Sequence, residues 1–524
     1  MRSEKFILKY RFWIILLFPL LTLFFVLGLT QLEIESDIKE LIPEKMPSRM
    51  QTDAIENIFG STKIIILVLE TDDVLRPETL RRVKELTRVF ERRSEFERVT
   101  SLFTLKHIKH REGMMVVDPA VGNRIPETAE ARETLRRDLL DNPFVRETVI
   151  SEDFSKTAIV LNIRKDLEEN DIILKIQNIL KEHPGEEKIY MGGLPIVNAS
   201  IMQDISRDVV YLLPIGFLLM TGMLYFAFRR FRGVFLPLSV VLMAIIIAFG
   251  LMPLLGWHIS IVTILMPVML IAVANDYGIH IIAKYNELQS THPEWTNKNL
   301  ALGAFSSLKR PVTVTGITTV AGILGLLVHI IVHARQLGIL ASVGITWAVL
   351  LSLFFIPAVL SYLPVRTQKK KYLNGKLKIS FLDRILHFLS DRIIVHPKKI
   401  MTFALILTLV LAGGIFMLKI DGNMENFFKK KHPVKVSSSV INEHFGGSQN
   451  LSVLFEGNIK DPAVLKRMQS YEKTLLSHPD VGDVTSIVTA IREISKGLYA
   501  PGHPLYDTLP PGARGWRSIS NCII

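Results

Sequence analysis

Cysteine is almost missing from this chain: among 524 residues the one example is Cys522. That excludes a disulfide framework, so any segment outside the reducing interior of a cell has to be held by its own hydrophobic core. No G-x-x-x-x-G-K-[ST] loop is present to cradle nucleotide phosphates, which argues against ATP as a drive. The apolar stretches hold no paired carboxylates, no Ser/His arrangement and no metal-ligand spacing. An intramembrane enzyme is therefore not expected, and neither is a cofactor or a bound metal. The first apolar run has no A-x-A cleavage site in the "LGLTQLEIES" that closes it, and its apolar core is too long for a cleaved leader. It reads as a signal anchor.

What the chain has in quantity is hydrophobicity. Hydrophobic residues make up 49%, and the mean hydropathy is +0.31, unlike an ordinary soluble domain. Long apolar runs lie near 12–31, 209–228, 234–255, 259–283, 312–332, 338–363 and 400–418. Each reaches the ~20 residues that about 30 Å of hydrocarbon requires. A polytopic α-helical membrane protein with about seven transmembrane helices is expected. Lys and Arg in the short loops set its orientation. One side carries Arg2, Lys5, Lys9, Arg11, Arg229, Arg230, Arg232, Lys284, Lys298, Lys309 and Arg310, and the stretch with Lys369, Lys370, Lys371, Lys376 and Lys378. The opposite loops, near Trp257 and His333, offer only Arg335. The basic side, and the N-terminus with it, reads as cytoplasmic. The formal charge of +12 is mostly this topological signal and not a footprint for nucleic acid.

The resulting order is a cytoplasmic N-terminus and first span (1–31), an extracytoplasmic α/β domain (32–208), a five-helix bundle (209–363), a cytoplasmic linker (364–399), a seventh span (400–418) and a second extracytoplasmic segment (419–524). Within 32–208, strands are expected at 63–70, 97–104, 155–164 and 187–193, and helices at 77–93 and 166–183. That is βαβ twice, each unit a small α/β sandwich of ferredoxin-like α+β character. The polar stretch 105–150 is left unassigned. In the linker, Phe381, Leu382, Ile385, Leu386, Phe388 and Leu389 share one helical face, with Asp383, Arg384, Asp391 and Arg392 elsewhere. Such a helix is too polar to span. It either lies on the cytoplasmic membrane surface or packs on the bundle as a plain linker.

Sliding the chain by 386 residues lays "LEIESDIKELIPEKMPSRMQTDAIENIFGSTKIIILVLE" on "LKIDGNMENFFKKKHPVKVSSSVINEHFGGSQNLSVLFE". Ile34 meets Ile420, Pro47 meets Pro433, Ile55 meets Ile441, Phe59-Gly60 meets Phe445-Gly446 and Glu70 meets Glu456. After a one-residue slip Pro77 meets Pro462, and Val99-Thr100-Ser101 meets Val484-Thr485-Ser486. An internal duplication is expected: one span, a large outer domain and five spans, then a second unit that stops inside its outer domain. The chain therefore reads as the N-terminal portion of a longer arrangement.

Residues 271–287 read "IAVANDYGIHIIAKYNE". A carboxylate at the middle of a lone transmembrane helix costs roughly 2.5–3.5 kcal/mol on insertion scales, so Asp276 needs a reason to be there. It is the only carboxylate deep in any span. Asn275 and Tyr277 flank it, and His280 follows at i+4 on the same face. The expectation is a polar stripe pointing into the bundle and able to pass protons. Thr313, Thr315, Thr318 and Thr319 of the next span supply hydroxyls, and Gly316, Gly322 and Gly325 permit close helix approach. Those hydroxyls either support the carboxylate or bond back to their own helix.

The span order, the large loop after the first span, the duplication, "VANDYGIHIIAKYNE" and "GGLPIVNASIMQDISRDVVYLLP" at 192–214 together resemble the resistance–nodulation–division (RND) transporter superfamily. Within it they resemble the branch with MMPL-type, sterol-sensing-domain-like membrane regions, the hydrophobe/amphiphile exporters. The resemblance covers residues 1 to about 495. It implies porter-type outer domains and an inner-membrane exporter of lipids or other hydrophobic or amphiphilic molecules, driven by the proton gradient. It places Asp276, with Tyr277 beside it, in a proton relay; the helical spacing adds His280 to that relay, with Asn275, Thr315, Thr318 and Thr319 in support. The implied partners are membrane lipids, the exported amphiphile and protons, with no nucleic acid; a homo-oligomer is open, since the sequence does not fix the oligomeric state. It also implies that the polar residues usually facing this site belong to a second bundle. The competing reading is a non-transporting lipid- or sterol-sensing module, or an accessory to protein translocation. A sensor can do without a titrating carboxylate; a proton-driven pump cannot.

Overall fold

The computed structural model describes residues 2–34, 38–111, 114–146, 148–364, 372–373, 376–377, 381–419 and 422–509. Cys522 and the Gly/Pro-rich tail beyond 509, Lys369, Lys370, Lys371 and Lys378 of the basic stretch, and Ile420 of the repeat lie outside the described residues. In chain order, α1 (Arg2–Leu29) is followed by α2 (Pro47–Phe59), β1 (Ile64–Glu70), α3 (Pro77–Glu91), β2 (Phe96–Thr100), β3 (Lys106–Arg111), β4 (Met114–Pro119), α4 (Ala129–Leu140), β5 (Lys156–Ile163), α5 (Glu169–Glu182) and β6 (Lys188–Gly192). Then come α6 (Leu194–Phe228), α7 (Phe231–Leu254), α8 (Met266–Thr291), α9 (Asn297–Leu324), α10 (Val332–Leu350) and α11 (Ile356–Tyr362). The last are α12 (Phe381–Val395), α13 (Pro397–Gly413), α14 (Pro433–His444), α15 (Pro462–Leu476) and α16 (Ile487–Leu498). The chain divides into two compact units, one of residues 1–33, 210–329 and 333–423 and one of residues 34–209, 330–332 and 424–524.

Among the described residues seven helical stretches are long and apolar enough to cross a membrane, as the run lengths require. α6 and α9 extend furthest beyond the apolar runs. α6 starts at Leu194 rather than 209, since no helix breaker separates its amphipathic approach from the apolar span, and α9 starts at Asn297 rather than 312, the helix running straight through Pro311 at that boundary. Thr296 caps α9, its side chain accepting from the Asn299 N–H. α10 and α11 form one stretch through a π-helical turn at Leu351–Phe355, where the Ile356 N–H bonds back five residues to the Leu351 carbonyl. Pro357, which has no N–H to offer, follows at once.

The membrane unit packs around α7 and α8. Their buried side chains Val240, Val241, Ala244, Leu270, Ala274, Tyr277 and Ile281 share a core with Leu340, Ile345 and Ile356. Small residues set the crossings. A Cβ on Gly250 would lie 2.1 Å from the Phe25 carbonyl oxygen, and one on Gly28 would lie 2.4 Å from the Gly250 carbonyl oxygen, so α1 and α7 touch backbone to backbone. A Cβ on Gly278 would sit 3.2 Å from Pro237, which brings α8 against α7. Gly222 of α6 has nothing within 4 Å. Gly250→Val is therefore expected to abolish accumulation of folded protein, whereas Gly222→Val leaves it unchanged. Fluorescence-detected size-exclusion of the solubilised chain reads both. α13 contains no buried residue. The expected linker helix forms as α12, and its apolar Ile385, Phe388 and Leu389 are exposed rather than packed on the bundle.

In the second compact unit the predicted strands and helices are present within a few residues, but they do not make two sandwiches. They combine into one antiparallel four-stranded sheet in the order β2-β5-β1-β6. Strands of the first βαβ pair with strands of the second: Leu67 of β1 lies opposite Ile159 of β5 and opposite Met191 of β6. β1 has five consecutive buried residues, so both faces of the sheet need cover. One face carries α3 and α5, with Val83, Leu86, Phe90, Ile172, Ile176 and Ile179 against Ile65, Leu67, Leu69 and Leu161. The other is covered from far along the chain by Ile441 of α14 with Phe445, packed on Ile66, Val68, Ala158 and Tyr190. The unassigned stretch 105–150 forms the β3–β4 hairpin and α4, and α16 lies on the hairpin with His110 Nδ1 2.9 Å from the Gly497 carbonyl oxygen. Ile441→Ala is expected to cost about 2–5 kcal/mol, read as a lower unfolding midpoint of the full chain in urea.

Candidate functional site

The apolar sequence of α8 turns every side chain by about 100° per residue, and this sorts the predicted site residues by face. Tyr277 points into the bundle and is 3% exposed, in the core with Leu270 and Ile281. Asp276 and His280, one helical turn apart, are exposed on the outer face of the unit. Asn275 is half-buried, and its Oδ1 is buried with no hydrogen-bond partner among the described residues. The expected stripe pointing into the bundle is thus corrected. Tyr277 and Asn275 turn inward, while the carboxyl and the imidazole face out. The physical reason is that Gly278 must face α7, where a Cβ would be 3.2 Å from Pro237. That requirement fixes the helix rotation and sends positions 276 and 280 away from the core.

α9 runs back beside α8 through the turn at 292–296. Thr315 and Thr318 are exposed and Thr319 is half-buried. Thr318 Oγ1 donates to the Val314 carbonyl at 3.1 Å and to the Thr315 carbonyl at 2.9 Å, and Thr319 Oγ1 donates to the Thr315 carbonyl at 2.8 Å. The hydroxyls of Thr318 and Thr319 therefore bond to their own helix, the ordinary behaviour of threonine in apolar helices.

Sequence reasoning passed over the polar atoms inside the bundle. The hydroxyls of Ser342, Ser352 and Tyr285 and the indole N–H of Trp347 are buried with no hydrogen-bond partner among the described residues. Single serines in the run "LASVGITWAVLLSLFF" were the available signal, a weak one, because serine is common in apolar helices. With Asn275 they supply hydrogen-bonding positions on α8, α10 and the π-helical turn. Among the described residues no group of His, Cys, Asp and Glu is placed to hold a metal ion.

Residues 40–389, well over half of the chain, match the sequence profile of the MMPL family. Two relatives, both described only as membrane proteins, are similar to this chain. One, from Streptomyces coelicolor, is 25% identical over 343 residues, covering 60% of this chain and 46% of the relative. The other, from Methanocaldococcus jannaschii, is 21% identical over 374 residues, covering 67% of this chain and 90% of the relative. The chain thus spans about half the length of the Streptomyces protein and nearly all of the Methanocaldococcus one. With seven candidate membrane spans among the described residues and a family profile that runs from residue 40 through the bundle to the linker helix, the chain belongs to the MMPL family.

Proposed function

We propose that this chain is the core of an RND-type exporter that moves lipids or other amphiphiles across the cytoplasmic membrane at the expense of the proton gradient. The observation that carries the reading is Asp276, a lone carboxylate in the middle of α8 that the fold turns outward together with His280. A charge facing lipid is costly, so its face belongs against a second bundle, which a second copy of this chain supplies. Between the two bundles Asp276 accepts and releases protons, His280 extends the path by one helical turn, and Tyr277 holds α8 against its own core. Each charge moved is worth ~2.3 kcal/mol per 100 mV of potential.

The relatives support both ways of supplying a second bundle. The Streptomyces protein has room for a second unit in one chain, whereas the Methanocaldococcus protein is almost filled by one. The duplication within this chain is supported by the elements themselves: α2 and α14 begin at the matched Pro47 and Pro433, and α3 and α15 at the matched Pro77 and Pro462. The strand order β2-β5-β1-β6 with two helices on one face supports a ferredoxin-like outer domain of porter type. A groove of about 400 Å³ lined by Phe12, Ile15, Leu16, Val359, Tyr362 and Leu363 offers the apolar surface that an acyl chain takes. Export by the wild type and by Asp276→Asn, normalised to protein level, tests the reading.

The basic loops put the N-terminus and the 364–399 linker in the cytoplasm and the outer unit outside. Reporter fusions near residues 120 and 375 are expected to give opposite answers, with alkaline phosphatase active only at the first. Activity at both, or at neither, would end this topology.

A further inference from the structure

The membrane unit has a second polar site that the relay does not use. α6 and α7 are joined by Arg229 and Arg230 alone, and Arg229 adopts φ 50°, a conformation in which a bulky residue is uncommon. Directly beyond this turn Arg230, Arg232, Gly233, Tyr285, Asn286 and Gln289 line a small cavity of about 20 Å³, floored by Ile282 and Leu360. That volume admits one or two oxygen-sized groups. Tyr285 is 4% exposed, and its hydroxyl has no hydrogen-bond partner among the described residues. Arg230 donates to Gln289 Oε1 at 2.9 Å, and Arg232 donates to the Pro364 carbonyl at 2.8 Å. Each guanidinium has five N–H donors, so these single bonds hold the two groups in place without using them up. The nearby acid on α8, Glu287, pairs with Lys284 at 2.7 Å and does not line the cavity.

A cavity with two guanidinium groups, a buried hydroxyl donor, two amides and, among the described residues that line it, no carboxylate selects against cations and for a multivalent oxyanion. It opens where two spans end, at the depth of lipid headgroups. We infer that the Arg230–Arg232–Tyr285 cavity binds a phosphate group, one oxygen entering to accept from the Tyr285 hydroxyl and the others held by the two arginines. The phosphate is carried either by an anionic phospholipid headgroup or by a soluble phosphate.

Native mass spectrometry of the full chain, released from detergent with phosphatidylglycerol or phosphatidylcholine, is the test. One saturable phosphatidylglycerol adduct is expected, favoured over phosphatidylcholine. Tyr285→Phe, which keeps the ring packing, should weaken it about tenfold, the scale of one hydrogen bond to a charged group. Arg230→Gln combined with Arg232→Gln should remove the preference while circular dichroism stays unchanged. Inorganic phosphate that displaces the lipid, and binds equally well without it, assigns the cavity to a soluble phosphate; phosphate that fails to displace it assigns the cavity to the headgroup. Equal binding of both lipids by the wild type, with no phosphate binding, would overturn the inference. So would wild-type affinity in Tyr285→Phe together with the arginine pair variant.

Discussion

Asp276→Asn is expected to reduce gradient-driven export by about 100-fold or more, the lower end of what removing a proton-transferring group costs. The variant keeps the size and most of the hydrogen bonding of the side chain but cannot bind and release a proton. Folding should survive, because a neutral amide is cheaper in hydrocarbon than a carboxylate and position 276 takes no part in the core of the unit. A structural role predicts nearly the reverse, with Asn preserving a helix contact and the activity along with it. Tyr277→Phe separates the two. Its ring fills the core, and loss of the hydroxyl alone should leave most of the activity. Export assays in cells, normalised to protein level, read all three proteins.

The second large effect concerns the face on which Asp276 lies. If two bundles meet there, residues one turn along that face approach their counterparts. Ala272 is exposed on α8 one turn before Asp276. With Cys522→Ser as background, Ala272→Cys should convert most of the protein to a disulfide-linked dimer under mild oxidation, since a bridge needs Cβ atoms only ~3.5–4.5 Å apart. Leu218, 72% exposed on α6, should give little dimer when replaced by Cys. Equal yields at the two positions would mean that the Asp276 face is no preferred contact.

The spans were legible because length and apolarity are local properties, and a 20-residue run needs no tertiary information. Their true ends were not. The polar approach at 194–208 continues α6 without a breaker, that at 297–311 continues α9 through Pro311, and hydropathy alone sees neither extension. The strands of the second compact unit were legible from composition, but their assembly into one sheet was not. That depends on β1 pairing with β5 and β6 and on α14 closing the far face. The polar β3–β4 hairpin left no periodic signal, since its burial comes from α16.

At the candidate site the unusual residue, Asp276, was visible as a cost without a local reason. The direction it faces was not visible, because α8 is apolar almost all round and its pattern names no inner face. Gly278 and its contact with Pro237 supply that information, and only the packed structure contains it. The Arg230–Gln289 bond joins residues 59 apart in sequence. From the sequence, Arg230 could be read only as one more charge in the topology count.

The central claim is that proton movement through Asp276 powers export, and vesicles carrying the full chain test it most directly. Translocation of a fluorescent amphiphile should follow an imposed pH gradient, stop when a protonophore collapses it, and be absent in Asp276→Asn vesicles containing equal protein. Translocation that persists without the gradient, or that proceeds at the wild-type rate in the Asn variant, would contradict the account.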